Sequence, residues 1–225
     1  MNIKKYLQPT EFIDSDNNAI IHFAEEVIGE EQNQIKKAIK LYYAVRDSIR
    51  YDPYRIQFTP NGLKASTTIA QGYGYCVAKA LLLAAVGRAV GIPSRLGFAD
   101  VRNHLSSEKL KQVMQSDVFA WHGYTEFYLD SEWVKATPAF NKLLCDKTGI
   151  KPLEFDGIND SIFHEFDQAG NRHMEYLKEH GQFDDLPFQK IIDTYKEYYP
   201  LFANVIDQLP EISIKGDFGD EASAN

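Results

Sequence analysis

Gln71-Gly72-Tyr73-Gly74-Tyr75-Cys76-Val77-Ala78-Lys79-Ala80-Leu81-Leu82-Leu83-Ala84-Ala85-Val86-Gly87-Arg88-Ala89-Val90-Gly91-Ile92-Pro93 decides how the chain is read. From Cys76 to Gly91, 12 of 16 residues are apolar, with no polar stripe. Apolar side chains on every face predict a helix buried in the core. Gly91 and Pro93 stop it. A helix start carries partial positive charge and unpaired N–H groups, which favour a thiolate and predict a lowered pKa for Cys76. The glycines before it let backbone approach the sulfur and leave N–H groups for an oxyanion. Gln71 adds a candidate side-chain donor, and Tyr73 and Tyr75 are candidates to line the cleft. The bland alternative is a buried cysteine packing at the start of a core helix.

Downstream, Ser94 to Val101 reads as a strand, and a short helix is expected at Ser107–Gln115. Val118 to Leu129 and Glu132 to Thr137 form a hairpin about Asp130-Ser131, closed by Pro138. A two-residue turn sets Tyr124 opposite Thr137 and His122 opposite Ala139. Thr137 is then diagonal to His122 on one face, and Asn141 lies just past the strand end. A thiol nucleophile needs an imidazole partner and a group to orient it, which makes Cys76, His122, and Thr137 or Asn141 the candidate set. Trp121 is expected in the core and His104 in a loop. Cys145 lacks a glycine-rich approach and is read as structural.

Upstream, Ile35, Ala38, Tyr42, Val45 and Ile49 share one face of a helix over about Glu30 to Arg50, stopped by Asp52-Pro53. Residues 1–16 read as irregular and 54–75 as a long loop. Helices are expected near Asn171–Glu179 and Pro187–Tyr198, and a disordered tail over 215–225. Helices, a central buried helix, then antiparallel strands predict an α+β fold.

The chain has 225 residues, 24 Lys+Arg against 32 Asp+Glu, and a net charge of −8. With 44% hydrophobic and 25% charged residues it is an ordinary globular composition. The acidic balance argues against a dedicated nucleic-acid binder. The longest apolar run, Ala80 to Val86, is far short of the ~18 residues of a membrane span, and a cytoplasmic location is expected. Two cysteines make neither a disulfide framework nor a four-cysteine zinc site. No metal or other cofactor is expected.

Tyr75-Cys76, Arg88-Ala89-Val90-Gly91-Ile92-Pro93-Ser94-Arg95, and the hairpin with His122, Tyr128-Leu129 and Trp133-Val134 resemble the transglutaminase-like superfamily. So does the entry segment Ile49-Arg50-Tyr51-Asp52-Pro53. The resemblance covers about residues 35–141. It implies a papain-like core with a Cys-His-Asp triad, in which Cys76 matches the nucleophile and His122 the histidine. The family's aspartate stands four residues after the hairpin tryptophan; here that position is Thr137. Asp100 and Asp117 are substitute acids. The organisation expected is one domain over 1–214, with a C-terminal extension at 150–214. The function expected is a cysteine enzyme acting on peptide or glutamine-type amides through a thioester, with hydrolysis favoured over amine transfer. The alternative is an inactive fold that binds peptides. The acidic, aromatic region from Asp156 to Tyr199 would be a lid or a docking surface.

Overall fold

A computed structural model describes residues 2–104, 106–163, 166–199 and 211–222. Residues 200–210 of the extension and 223–225 of the expected tail lie outside these. Helix α1 (Asn18–Ile28), helix α2 (Gln34–Ser48) and helix α3 (Ala65–Gln71) pack on one side of helix α4 (Cys76–Ala89). Strand β4 (Ser94–Asn103) and strand β5 (Val118–Leu129) pack on the other. Every α4 residue from Cys76 to Arg88 is buried, as a sequence with no polar stripe requires. The helix ends at Gly91, whose φ of +81° is a left-handed stop.

Lys79 breaks the apolar run without breaking the core. Its Nζ donates to the carbonyls of Arg46 and Ile49, 2.8 and 2.6 Å away, at the C-terminal end of α2. A donor cation there satisfies helix-end carbonyls. Burial lowers its pKa to about 7.

The sheet runs in the order β6-β5-β4-β7, all antiparallel, with strand β6 (Glu132–Ala136) and strand β7 (Met174–Phe183) at its edges. Asp130 and Ser131 have φ of +46° and +73°, the left-handed pair a two-residue hairpin turn requires. The ladder runs from Leu129 opposite Glu132 to Thr125 opposite Ala136, the register the turn dictates. The α+β architecture and the order of these core elements follow the sequence reading.

Four segments differ from it. Helix α1 has no counterpart in the sequence reading, although Asn17 caps it and Ile20, Ala24 and Ile28 bury one face. The expected loop over 54–75 contains α3 and two short strands, β2 (Arg55–Gln57) and β3 (Tyr73–Gly74). Strand β1 (Arg50–Tyr51) pairs with β3 in parallel. The helix expected at Asn171–Glu179 is instead strand β7, because pairing along β4 overrides the helix propensity of Met, Glu, Leu and Lys. Helix α5 (Glu108–Met114), helix α6 (Lys142–Thr148) and helix α7 (Phe188–Tyr198) complete the main elements.

The expected tail is the fourth correction. Strand β8 (Glu211–Ser213) pairs antiparallel with β2, and helix α8 (Phe218–Ala222) follows. Phe218 is buried edge-on to Tyr51 and Tyr54, with centroids 5.5 and 5.6 Å away, and Asp217 pairs with Arg50 at 2.9 Å. An aromatic anchor and an ion pair hold what composition alone reads as disordered. Among the described residues, no helix is long and apolar enough to cross a membrane.

Candidate active site

Cys76 is the first residue of α4, with Tyr75 extended before it. The backbone N–H groups of Gly123, Val77 and Cys76 itself favour its thiolate form. Gly123 belongs to β5, so the strand closes directly on the helix start. A Cβ on Gly123 would sit 3.1 Å from the Val77 Cα and 3.3 Å from the Phe98 ring. Only glycine permits that approach at full fit. The thiol pKa does not fall as the helix start predicts. Burial pushes it up to about 11, against the pull of the three N–H groups. Near neutral pH Cys76 is therefore a protonated thiol.

His122 precedes Gly123 and is 4% exposed. Its ring meets Phe163 edge-on at 4.9 Å, and its Nε2 is buried without a hydrogen-bond partner among the described residues. Burial, aided by nearby His173, holds the imidazole down at about 3. Its ring is thus neutral near neutral pH. The strand is irregular beside it. Ala99 faces His122 and Val101 faces Phe119, so Ala120 and Trp121 together oppose Asp100. This β-bulge puts Trp121 at φ +56°, a left-handed conformation that is rare for a bulky residue.

Cys76 and His122 line one cavity of about 40 Å³, room for a water or two. Its other walls come from Tyr51, Pro53, Ile56, Tyr75, Leu110, Met114, Phe119, Ala120, Tyr195 and Tyr199, none of them charged. Tyr195 and Tyr199 come from α7 and its C-cap. The Tyr199 hydroxyl donates to the Val118 carbonyl at 2.9 Å and accepts from the Ala120 N–H at 2.6 Å. The extension is thereby tied to β5 beside the thiol.

The remaining sequence candidates divide. Tyr75 lines the cavity, whereas Gln71 and Tyr73 do not: Gln71 ends α3, and Tyr73 lies under the Arg55 guanidinium at 5.1 Å. Thr137 is 1% exposed with its hydroxyl buried and unpartnered among the described residues. The ladder ends one residue before it, at Thr125 opposite Ala136, and the Thr137 N–H donates to the Ser161 carbonyl at 3.1 Å. Asn141 is occupied elsewhere, accepting from the Tyr51 N–H at 3.1 Å beside α6. Asp117 pairs with Arg102 and Asp100 with His180, while His104 lies 3.6 Å from Glu175. Trp121 is buried in the core as expected. Cys145 is 1% exposed, with its thiol pushed up to about 12 by burial. The bulge at Trp121 and the tyrosines of α7 are missing from the sequence reading. The apolar face of α7 is legible in Ile191, Ile192 and Tyr195, but its target is not.

The sequence model of the transglutaminase-like superfamily matches residues 21–138. Among solved structures, a candidate cysteine protease from Cytophaga hutchinsonii is 18% identical, with a TM-score of 0.47 over 81% of this chain and 54% of that one. A candidate protease from Parabacteroides distasonis is 17% identical, with a TM-score of 0.38 over 60% of this chain and 25% of its own. The chain thus spans about half the length of the first and a quarter of the second. No curated protein matches it.

Proposed function

The chain belongs to the transglutaminase-like superfamily, and on that footing we propose that it is a cysteine-dependent amide hydrolase or acyltransferase with Cys76 as nucleophile. The observation that carries this reading is the shared cavity: residues Cys76 and His122 line one apolar pocket, beside backbone N–H groups of α4 and β5.

Because both groups are neutral at rest, the chemistry runs by general base rather than through a preformed ion pair. His122 takes the Sγ–H proton as sulfur bonds to the amide carbon and the carbonyl electron pair moves to oxygen. Backbone N–H groups near the sulfur hold that oxyanion. Collapse breaks the C–N bond, and the departing amine takes the proton from His122. The thioester then yields to water, giving the acid, or to a second amine, giving a new amide. Thr137 is the candidate to orient the imidazole, since its hydroxyl is buried with no hydrogen-bond partner among the described residues and is free to take one; Asn141, bound to the Tyr51 N–H, is less well placed. The apolar walls suit a peptide substrate with an uncharged side chain near the scissile amide, and α7 acts as the cover. Hydrolysis is the favoured outcome. The site needs no cofactor.

One observation favours a second reading, an inactive peptide-binding fold: Thr137 cannot stabilise imidazolium by charge. Incubation with a peptide pool, with and without a fluorescent primary amine, separates the readings by mass spectrometry. The enzyme reading predicts cleaved, deamidated or amine-labelled peptides that vanish in Cys76→Ala and His122→Ala. Peptides retained but unchanged would establish the second reading instead.

A further inference from the structure

Asp100 lies in the middle of β4 and is 5% exposed, a costly place for a carboxylate. Its Oδ1 accepts from the Trp121 backbone N–H at 2.9 Å and from His180 Nε2–H at 2.7 Å. His180 is itself a bulge residue: Phe98 faces Gly181 and Ala99 faces Glu179, which leaves His180 extra on β7. Its ring stacks on the Trp121 indole, with centroids 4.0 Å apart and planes 10° apart. The indole Nε1–H donates to Thr194 of α7 at 2.9 Å. Trp121 is thus gripped through its backbone, ring face and ring nitrogen by three separate elements.

A left-handed conformation is unfavourable for a non-glycine residue and persists only where the surroundings over-determine it. These contacts do so immediately before His122. We propose that Asp100 and His180 are positioning residues, which clamp Trp121 in its bulge and thereby aim the His122 ring at the Cys76 thiol. The clamp rests on the Cys76–His122 reading above. It also explains why the chain needs β7 and α7, which lie outside the matched residues 21–138, to complete its site.

The test measures acylation of Cys76 by the small activated ester p-nitrophenyl acetate, followed by site-resolved mass spectrometry, which needs no natural substrate. His180→Leu keeps bulk but loses the N–H donor; His180→Gln keeps a donor. Misplacement on the ångström scale predicts an about 10- to 100-fold slower acylation in His180→Leu, with recovery in His180→Gln. Thermal melting of both variants separates this from simple unfolding. A wild-type rate in folded His180→Leu, or equal rates in the two variants, overturns the clamp. If His180→Leu does not fold, Thr194→Val frees only the indole N–H and predicts a two- to threefold loss by the same argument; a wild-type rate there overturns it equally. His122→Ala is the control. Equal acylation of wild type and His122→Ala removes the thiol–imidazole pair and the clamp with it. A slow His122→Ala beside an unaffected His180→Leu removes the clamp alone.

Discussion

An imidazole held neutral by burial makes folding sensitive to acid in a defined way. In the folded chain His122 sits at about 3, whereas an exposed histidine titrates at about 6.5. The unfolded chain therefore binds a proton first as pH falls. Stability is complete above pH ~6.5 and drains away as pH drops toward 3, at about 1.4 kcal/mol per pH unit. Between pH 7 and pH 5 the loss through this one group is about 2 kcal/mol. His122→Leu removes the titration while keeping an apolar side chain of similar size beside Phe163. Urea unfolding of both proteins at pH 7, 6 and 5 isolates the effect, because all other titrating groups are common to both. Wild type is expected to lose about 2 kcal/mol more than the variant over that range. Parallel losses in the two proteins would show that His122 is solvated or charge-paired in solution, and the neutral-base mechanism would fall with it.

Two further perturbations probe the walls of the site. Gly123→Ala drives a methyl group to within 3.1 Å of the Val77 backbone; overpacking of this kind costs about 1–3 kcal/mol, and pushing β5 off α4 should slow acylation of Cys76 along with the lowered melting temperature. Wild-type stability in that variant would mean the close approach is not real. Tyr195→Ala removes part of the cover at a cost of about 3–5 kcal/mol, and alkylation of Cys76 should accelerate in the folded protein; an unchanged rate would show that access does not run past α7.

The core was legible because its signals are local. Twelve apolar residues between Cys76 and Gly91 leave no alternative to a buried helix, and Asp130-Ser131 fixes the hairpin register from Leu129 opposite Glu132 to Thr125 opposite Ala136. The glycine-rich approach and the hairpin histidine were likewise enough to pick the pair that shares the cavity. What failed was set by tertiary contact. Residues 174–183 have helix-forming composition and become a strand only because β4 offers an unpaired edge. Phe218 looks like part of a polar tail until Tyr51 and Tyr54 bury it. A helix start by itself lowers a thiol pKa. Roofing by Tyr195 and Tyr199 adds a desolvation cost that outweighs it and that no local pattern announces. The bulge at Trp121 depends on Asp100 and on His180, eighty residues apart in sequence.

The central claim is that Cys76 and His122 act as one unit. Alkylation of both cysteines by iodoacetamide from pH 5 to 10, resolved by mass spectrometry in wild type and His122→Ala, tests it most directly. Cys145 should stay inert throughout the folded range. Cys76 should react, with a rate that climbs past the ordinary thiol range near ~8.5 and drops at neutral pH when His122 is removed. A Cys76 as inert as Cys145, or one indifferent to the loss of His122, would contradict the account.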